Sequence, residues 1–274
     1  MLFKRVLIPI DLSEVSADQL ECALQLKRYG LEELVLLYVL SLEGEIPPED
    51  ELALNNLLKK ATSAGVKART VVEKGKVSNK ILEVAKRERS SLIVMASSGK
   101  TKATELMVGS VSLEVVRRTK VPVLVGKFFA IGKKKSSSDC VRLLESVLVS
   151  VDLTSATKSV LETFKQLDQS GCERAVLFHV VPSNKYSVED NDKFQAVKKD
   201  LSEWKEAHKG NCELDTHLHY GSPAYNIIEA AREFDATLIV MGNVGKGLLH
   251  SMTLGSVSDE VLRKSNVHVM IVPC

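Results

Sequence analysis

The residues best equipped for chemistry lie in one stretch, 238–256, which reads LIVMGNVGKGLLHSMTLGS. A continuous apolar run ending at Met241 passes into Gly242, then Gly245 and Lys246, and later into Gly255-Ser256 and Val257. Glycines let a ligand approach the backbone closely, and the start of a helix presents unpaired N–H groups, so the pattern is that of a phosphate cradle. Lys246 adds a positive charge, and Ser256 offers both an amide and a hydroxyl. The same stretch occurs once before, at 92–110, as LIVMASSGKTKATELMVGS. There Ala96 stands where the later copy has Gly242, and Met95, Gly99, Gly109, Ser110 and Val111 keep the other positions.

A cradle needs elements that aim it, and the repeat supplies them twice. Asp11-Leu12-Ser13 recurs as Asp152-Leu153-Thr154, Val39 as Val180, Gly75 as Gly221, and Gly109-Ser-Val-Ser112 as Gly255-Ser-Val-Ser258. The chain is a tandem duplication, with domains expected over 1–127 and 146–274 and a joining segment over 128–145. Each copy alternates apolar, β-branched runs with amphipathic segments. Strands are expected at 6–10, 34–40, 66–72, 92–95 and 121–125, then at 147–151, 174–181, 213–219, 238–241 and 267–272. Helices are expected between them, including 78–88, 110–118, 155–169, 190–208, 223–233 and 256–264. Apolar runs on every strand imply a parallel sheet covered on both faces. Right-handed crossovers then give two tandem doubly wound, parallel five-stranded sheets, α/β in class.

In such sheets ligands lie beyond the carboxyl ends of the strands, where the strand order reverses. The first strands end in Pro9-Ile10-Asp11 and Ser150-Val151-Asp152. A carboxylate there repels phosphate, and suits a ribose hydroxyl or a magnesium ion. A helix N-cap role for Asp11 and Asp152, beside Ser13 and Thr154, is equally compatible with the repeat. No Walker loop, dinucleotide fingerprint or nucleophile elbow is present. The six histidines pair with no Ser or Cys at a spacing that implies a nucleophile, so no catalytic residue is assigned.

Composition narrows the classes further. Over 274 residues, 45% hydrophobic and 26% charged content with a net charge of +2 fits a globular protein and gives no bulk attraction to nucleic acid or membrane. No apolar run is long enough to span a bilayer, and the N-terminus enters a strand pattern directly, so a cytoplasmic protein is expected. Gly132–Ser138, with three lysines and three serines, reads as exposed linker. The five cysteines show no zinc spacing and are expected to be incidental thiols. Cys172 and Cys212 precede neighbouring strands and are expected at the same end of the sheet, as a reduced contact or as a disulfide.

The motif G-x2-G-x9-G-[ST], following LIVM and paired with an Asp ending the first strand, resembles the ATP-binding branch of the universal stress protein family. The resemblance covers nearly the whole chain twice. It implies a Rossmann-like sandwich of the adenine-nucleotide alpha hydrolase type, and an adenine nucleotide (ATP, ADP or AMP) in each copy, with magnesium beside a triphosphate. By position, Asp152 would hold ribose, Val180 would meet adenine, Met241 and Gly242 would line the sugar path, and Gly245, Gly255, Ser256 and Val257 would surround the phosphates. Asp11, Val39, Met95, Gly99, Gly109, Ser110 and Val111 are their first-copy equivalents. Ala96 departs from the pattern, as does Ser150 where the family and the first copy carry a proline such as Pro9. The family's last strand mediates dimer contacts, which implies an intramolecular pseudo-dimer through 121–125 and 267–272, and a homodimer. The functional expectation is a stress-response or regulatory protein with little or no hydrolysis. The alternatives are a nucleotide-free dimeric scaffold and a slow ATPase.

Overall fold

The computed structural model describes residues 1–40, 44–97, 108–127, 129–130, 133–134, 138–154, 156–183, 191–243 and 254–274. The chain divides into two compact units, Met1–Arg142 and Leu143–Cys274.

In chain order the first unit contains β1 (Arg5–Ile10), α1 (Glu14–Gln25), β2 (Glu33–Leu40), α2 (Pro48–Ser63), β3 (Lys67–Lys74), α3 (Val77–Arg87) and β4 (Leu92–Ala96). It continues with α4 (Ser110–Arg118), β5 (Val123–Gly126), the short pair β6 (Phe129–Ala130) and β7 (Lys133–Lys134), and a four-residue helix α5 (Ser138–Val141). Its sheet runs β3-β2-β1-β4-β5, all parallel, so the order reverses between β1 and β4. The second unit contains β8 (Ser146–Ser150), α6 (Ala156–Gln169), β9 (Arg174–Pro182), α7 (Asn191–Ala207), β10 (Glu213–Gly221), α8 (Pro223–Glu233), β11 (Leu238–Gly242), α9 (Ser256–Lys264) and β12 (His268–Val272). Its order, β10-β9-β8-β11-β12, is the same, with the reversal between β8 and β11.

Central strands are apolar without alternation because both faces are covered. Val6, Leu7, Ile8, Leu34 to Leu37, and Leu92 to Val94 are wholly buried, as are Leu238 to Val240 in the second unit. The outlying strands β3 and β10 carry polar residues such as Thr70, Glu73, Asp215 and Thr216, and are only half-buried. The α2 helix starts with Pro48 in its first turn and with Glu49, Asp50 and Glu51 near its positive end, a composition suited to a helix N-terminus.

The first helix ends at Gln25 and tightens into a 3₁₀ turn, Leu26–Tyr29, before Gly30 reverses the chain at φ 98°. The structure corrects two expectations. Within the segment read as a linker, α5 returns to the first unit, where Val141 O accepts hydrogen bonds from Arg28 Nη1 at 2.6 Å and Tyr29 Oη at 2.8 Å. Cys22 and Cys140 are not incidental thiols but a disulfide, joining α1 to α5 across 118 residues of sequence. The pair expected at one end of the second sheet is there: Cys172 and Cys212 are buried thiols with Sγ atoms 3.3 Å apart.

Candidate nucleotide site

The site is built at the carboxyl ends of the strands that flank each reversal. Just beyond β8, Asp152 Oδ1 accepts the Thr154 amide at 3.0 Å, the Thr154 hydroxyl at 2.7 Å and the Thr157 hydroxyl at 3.1 Å. Beyond β1, Asp11 Oδ1 accepts the Ser13 amide at 3.0 Å and the hydroxyls of Ser13 and Ser16 at 2.6 Å each. Both turns pass through a leucine in the left-handed region, Leu12 at φ 62° and Leu153 at φ 59°. A β-carbon is disfavoured there, and such strain clusters at functional turns. Its recurrence at matched positions marks a shape held in both copies.

This geometry bears on the N-cap role left open for the aspartates. The N-cap residue of α1 is Ser13, and the Ala156 amide at the head of α6 goes to Thr154 Oγ1 at 3.2 Å. Each aspartate sits two residues earlier and commits one oxygen to fixing the turn. The other oxygen of Asp152, Oδ2, is buried and has no hydrogen-bond partner among the described residues. A buried carboxylate oxygen in that state favours a donor from a ligand.

The second wall is the end of the fourth strand with the helix that follows. Gly109 and Gly255 are the N-caps of α4 and α9, with φ of −58° and −59°. Their amides close the loop on Ser97 O at 2.7 Å and Asn243 O at 2.9 Å. Ser112 and Ser258, one turn into each helix, donate their hydroxyls to Ala96 O at 3.0 Å and Gly242 O at 2.8 Å. The first intrahelical bonds are Leu113 N to Gly109 O and Asp259 N to Gly255 O. Ser110 and Val111, like Ser256 and Val257, therefore lie in the first turn, whose amides have no intrahelical acceptor. Ser110 and Ser256 are exposed. A β-carbon placed on Gly109 would come no nearer than 3.8 Å to Ser97 O and 3.9 Å to Ser112 Oγ. Neither the backbone conformation nor the described neighbours demand glycine there.

Ala96 takes an ordinary strand conformation, since it is not among the residues with positive φ. The alanine is thus not excluded by the backbone, and its methyl group packs instead against the Cys22–Cys140 disulfide with Val15. Met95 and Met241 are buried at the strand ends, as are Val151 and Val180. His179 Nδ1 donates to Val151 O at 2.7 Å, which holds β9 against the end of β8. At the matched position Tyr38 donates to Asp50 Oδ2 at 2.6 Å; burial and that acceptor raise its hydroxyl to a pKa of about 12. The structure therefore gathers Pro9 to Asp11 with Met95 and Ala96, and Ser150 to Asp152 with Met241 and Gly242, on adjacent strands. Gly99, Gly245 and Lys246 lie outside the described residues. Among those described, no cluster of three His, Cys, Asp or Glu side chains is arranged to hold a metal.

Sequence reasoning missed Ser16, Thr157, Ser112 and Ser258, which position the carboxylates and the fourth-strand carbonyls. A signal existed, because all four sit at repeated positions where the side chain is Ser or Thr in both copies. It missed Leu12 and Leu153 as strained residues, although Asp-Leu-Ser/Thr was visible. Behind the Asp152 turn a groove of about 520 Å³ opens between α6 and α7, walled by Leu161, Phe164 and Trp204; Leu153, Thr154 and Thr157 reach it, but neither Gly242 nor Ser256 does.

A five-stranded parallel sheet with a carboxylate turn and a glycine-headed helix across the strand-order reversal defines an α/β protein of the doubly wound class. The chain belongs to the Universal stress protein family, which matches residues 2–127 and again 144–273. It is 31% identical to a universal stress protein of Methanocaldococcus jannaschii over 141 residues, covering 46% of this chain and 83% of the relative. To universal stress protein YxiE of Bacillus subtilis it is 33% identical over 146 residues, covering 45% of this chain and 99% of that one. The crystal structure of a universal stress protein from Archaeoglobus fulgidus matches along the whole length, with TM-score 0.78, 28% identity and coverage of 100% of this chain and 99% of that chain. No helix among the described residues is long and apolar enough to cross a membrane.

Proposed function

We propose that this universal stress protein is an adenine-nucleotide-binding regulatory protein with two non-equivalent sites and little or no hydrolysis. The observation that carries the reading is Asp152, pinned through Oδ1 with a buried Oδ2 left without a partner among the described residues. A ribose hydroxyl is a neutral donor that would satisfy that oxygen without placing phosphate beside a carboxylate. In the second site Asp152 takes the ribose, Val180 meets adenine through its backbone, Met241 and Gly242 line the sugar path, and the first-turn amides of Ser256 and Val257 face the phosphates. Gly245 and Lys246 complete the cradle. Asp11, Val39, Met95, Ala96, Gly99, Gly109, Ser110 and Val111 form the first site. Ala96, packed on the Cys22–Cys140 disulfide, stands where the second site has Gly242, so the two sites differ. The family's use of its last strand supports pairing of the two copies within one chain, and a homodimer of chains.

Equilibrium dialysis with ATP tests the reading. Wild type is expected to retain nucleotide, and the Gly245→Val/Gly255→Val double variant to lose the second site's share. Equal retention by the two proteins contradicts the assignment.

A further inference from the structure

The Cys22–Cys140 disulfide lies where the first site could feel it. Both residues are buried, at 0% and 1% exposure. Partly buried apolar side chains packed against the pair are those of Val15 and Ala96. Val15 belongs to the first turn of α1, next to Ser16, whose hydroxyl holds Asp11 Oδ1. Ala96 is the last residue of β4, and its carbonyl receives Ser112 Oγ from the head of α4. One covalent link thus touches both walls of the first site, the carboxylate turn and the fourth-strand end.

The second unit lacks every part of this arrangement. Thr163 stands at the position of Cys22, Ala156 at that of Val15 and Gly242 at that of Ala96. Thr163 spends its hydroxyl on Ser159 O at 2.9 Å. The three replacements are coherent: the alanine that replaces the glycine of the second site is the contact surface of the bridge. The α5 helix has only four residues, too few to hold itself in place by its own hydrogen bonds. Among the described contacts it is held by the disulfide and by the two bonds to Val141 O.

We infer that the redox state of Cys22–Cys140 sets the nucleotide affinity of the first site and leaves the second unaffected. This rests on the reading that the first site takes a nucleotide. When the four-residue α5 opens locally, a small dithiol reduces the bridge by thiolate attack on one sulfur, which breaks the S–S bond and forms a mixed disulfide. The reductant's second thiol then displaces the protein sulfur. Two electrons and two protons pass to Cys22 and Cys140, and the reductant leaves as its own disulfide. A low-molecular-weight disulfide reverses the exchange. Two unbonded thiols need more room than one bridge, and in a wholly buried cluster that room is taken at the expense of neighbours, Val15 and Ala96 among them. Reduction therefore displaces the carboxylate turn and the strand end together, and weakens binding.

Calorimetric titration with ATP tests this on the Gly255→Val variant, in which only the first site is counted. Samples are prepared oxidised or reduced with dithiothreitol, with the bridge state verified by the mass added on alkylation. The expected result is a loss of about tenfold in affinity on reduction, the scale of an ordinary coupling between sites. A Cys22→Ser/Cys140→Ser variant is expected to bind at the weakened level whether or not dithiothreitol is present. Wild type is titrated in parallel, where two classes of site are expected to separate further on reduction while the second keeps its affinity. Equal first-site affinity in both redox states overturns the inference and leaves the nucleotide reading standing. Absence of binding at either site, in either state, overturns both.

Discussion

Ser16 Oγ stands 2.6 Å from Asp11 Oδ1, donating to the carboxylate while accepting the amide of Asp11 itself at 3.1 Å. The two residues form a closed pair, five positions apart, that turns the end of a strand into the start of a helix. Thr157 repeats the first of these bonds on Asp152. In both turns the Oδ1 atom of the carboxylate is oriented by Ser or Thr hydroxyls.

Removing one of those hydroxyls should loosen the carboxylate without deleting it. Ser16→Ala is expected to cost about 1.5–3 kcal/mol of stability, the range for a hydrogen bond to a charged group. It should also weaken ATP binding at the first site only. Urea denaturation and a two-site titration check the two parts separately, and Ser16→Thr should restore both.

The disulfide closes a loop of most of the first unit, so its loss should be costly there. Cross-links over loops of this size contribute roughly 2–5 kcal/mol, chiefly by restricting the unfolded chain. Reduction, or Cys140→Ser, is expected to lower the urea midpoint of the first unit and to leave that of the second unchanged.

The remaining thiols should differ in reactivity. Cys172 and Cys212 are buried, and the Cys212 sulfur together with burial pushes the Cys172 thiol well above its ordinary range. Cys274 is exposed. At pH 8, without reductant, a disulfide-exchange dye should label Cys274 rapidly, and reach Cys172 and Cys212 only after denaturant is added.

A charge network sits at the amino ends of the first unit's strands. Arg5 Nε contacts Glu33 Oε2 at 2.8 Å, Arg69 Nε contacts Glu33 Oε1 at 3.3 Å, and Arg69 also pairs with Glu88. Burial alone would raise the Glu33 carboxyl, but hydrogen bonds from Arg5 and Arg69 outweigh it and hold the group below its ordinary value of 4.5. Glu88 is lowered as well, first by Arg69. A carboxyl with a depressed folded pKa contributes stability above its unfolded value, which is lost as the pH falls through the folded one. The arginines are partly exposed, so Glu33→Gln should cost only about 1 kcal/mol at pH 7. Urea midpoints of wild type and variant should converge as the pH falls well below 4.5.

Much of this architecture was legible because the duplication reports it twice. The α4, α8 and α9 helices fall where glycine, proline and apolar spacing place them, and the central strands follow from unbroken apolar runs. Residues that act through long-range packing were not legible. Nothing near Cys22 in sequence announces Cys140, because the partner arrives 118 residues later on a short helix inside a serine- and lysine-rich segment. The strain at Leu12 and Leu153 was hidden too, since leucine carries no sequence signal of a left-handed turn. The role of Ala96 needed the disulfide beside it. From sequence it is only a missing glycine; in the structure it is a contact.

The central claim is that nucleotide binds at the carboxyl ends of the strands in each unit, with Asp11 and Asp152 as the ribose acceptors. Native mass spectrometry of the oxidised protein during an ATP titration counts the occupants directly. The account predicts two nucleotides per chain for wild type, one for Asp152→Ala, and none for Asp11→Ala/Asp152→Ala. Wild type without bound nucleotide, or two nucleotides retained by the double variant, would contradict it.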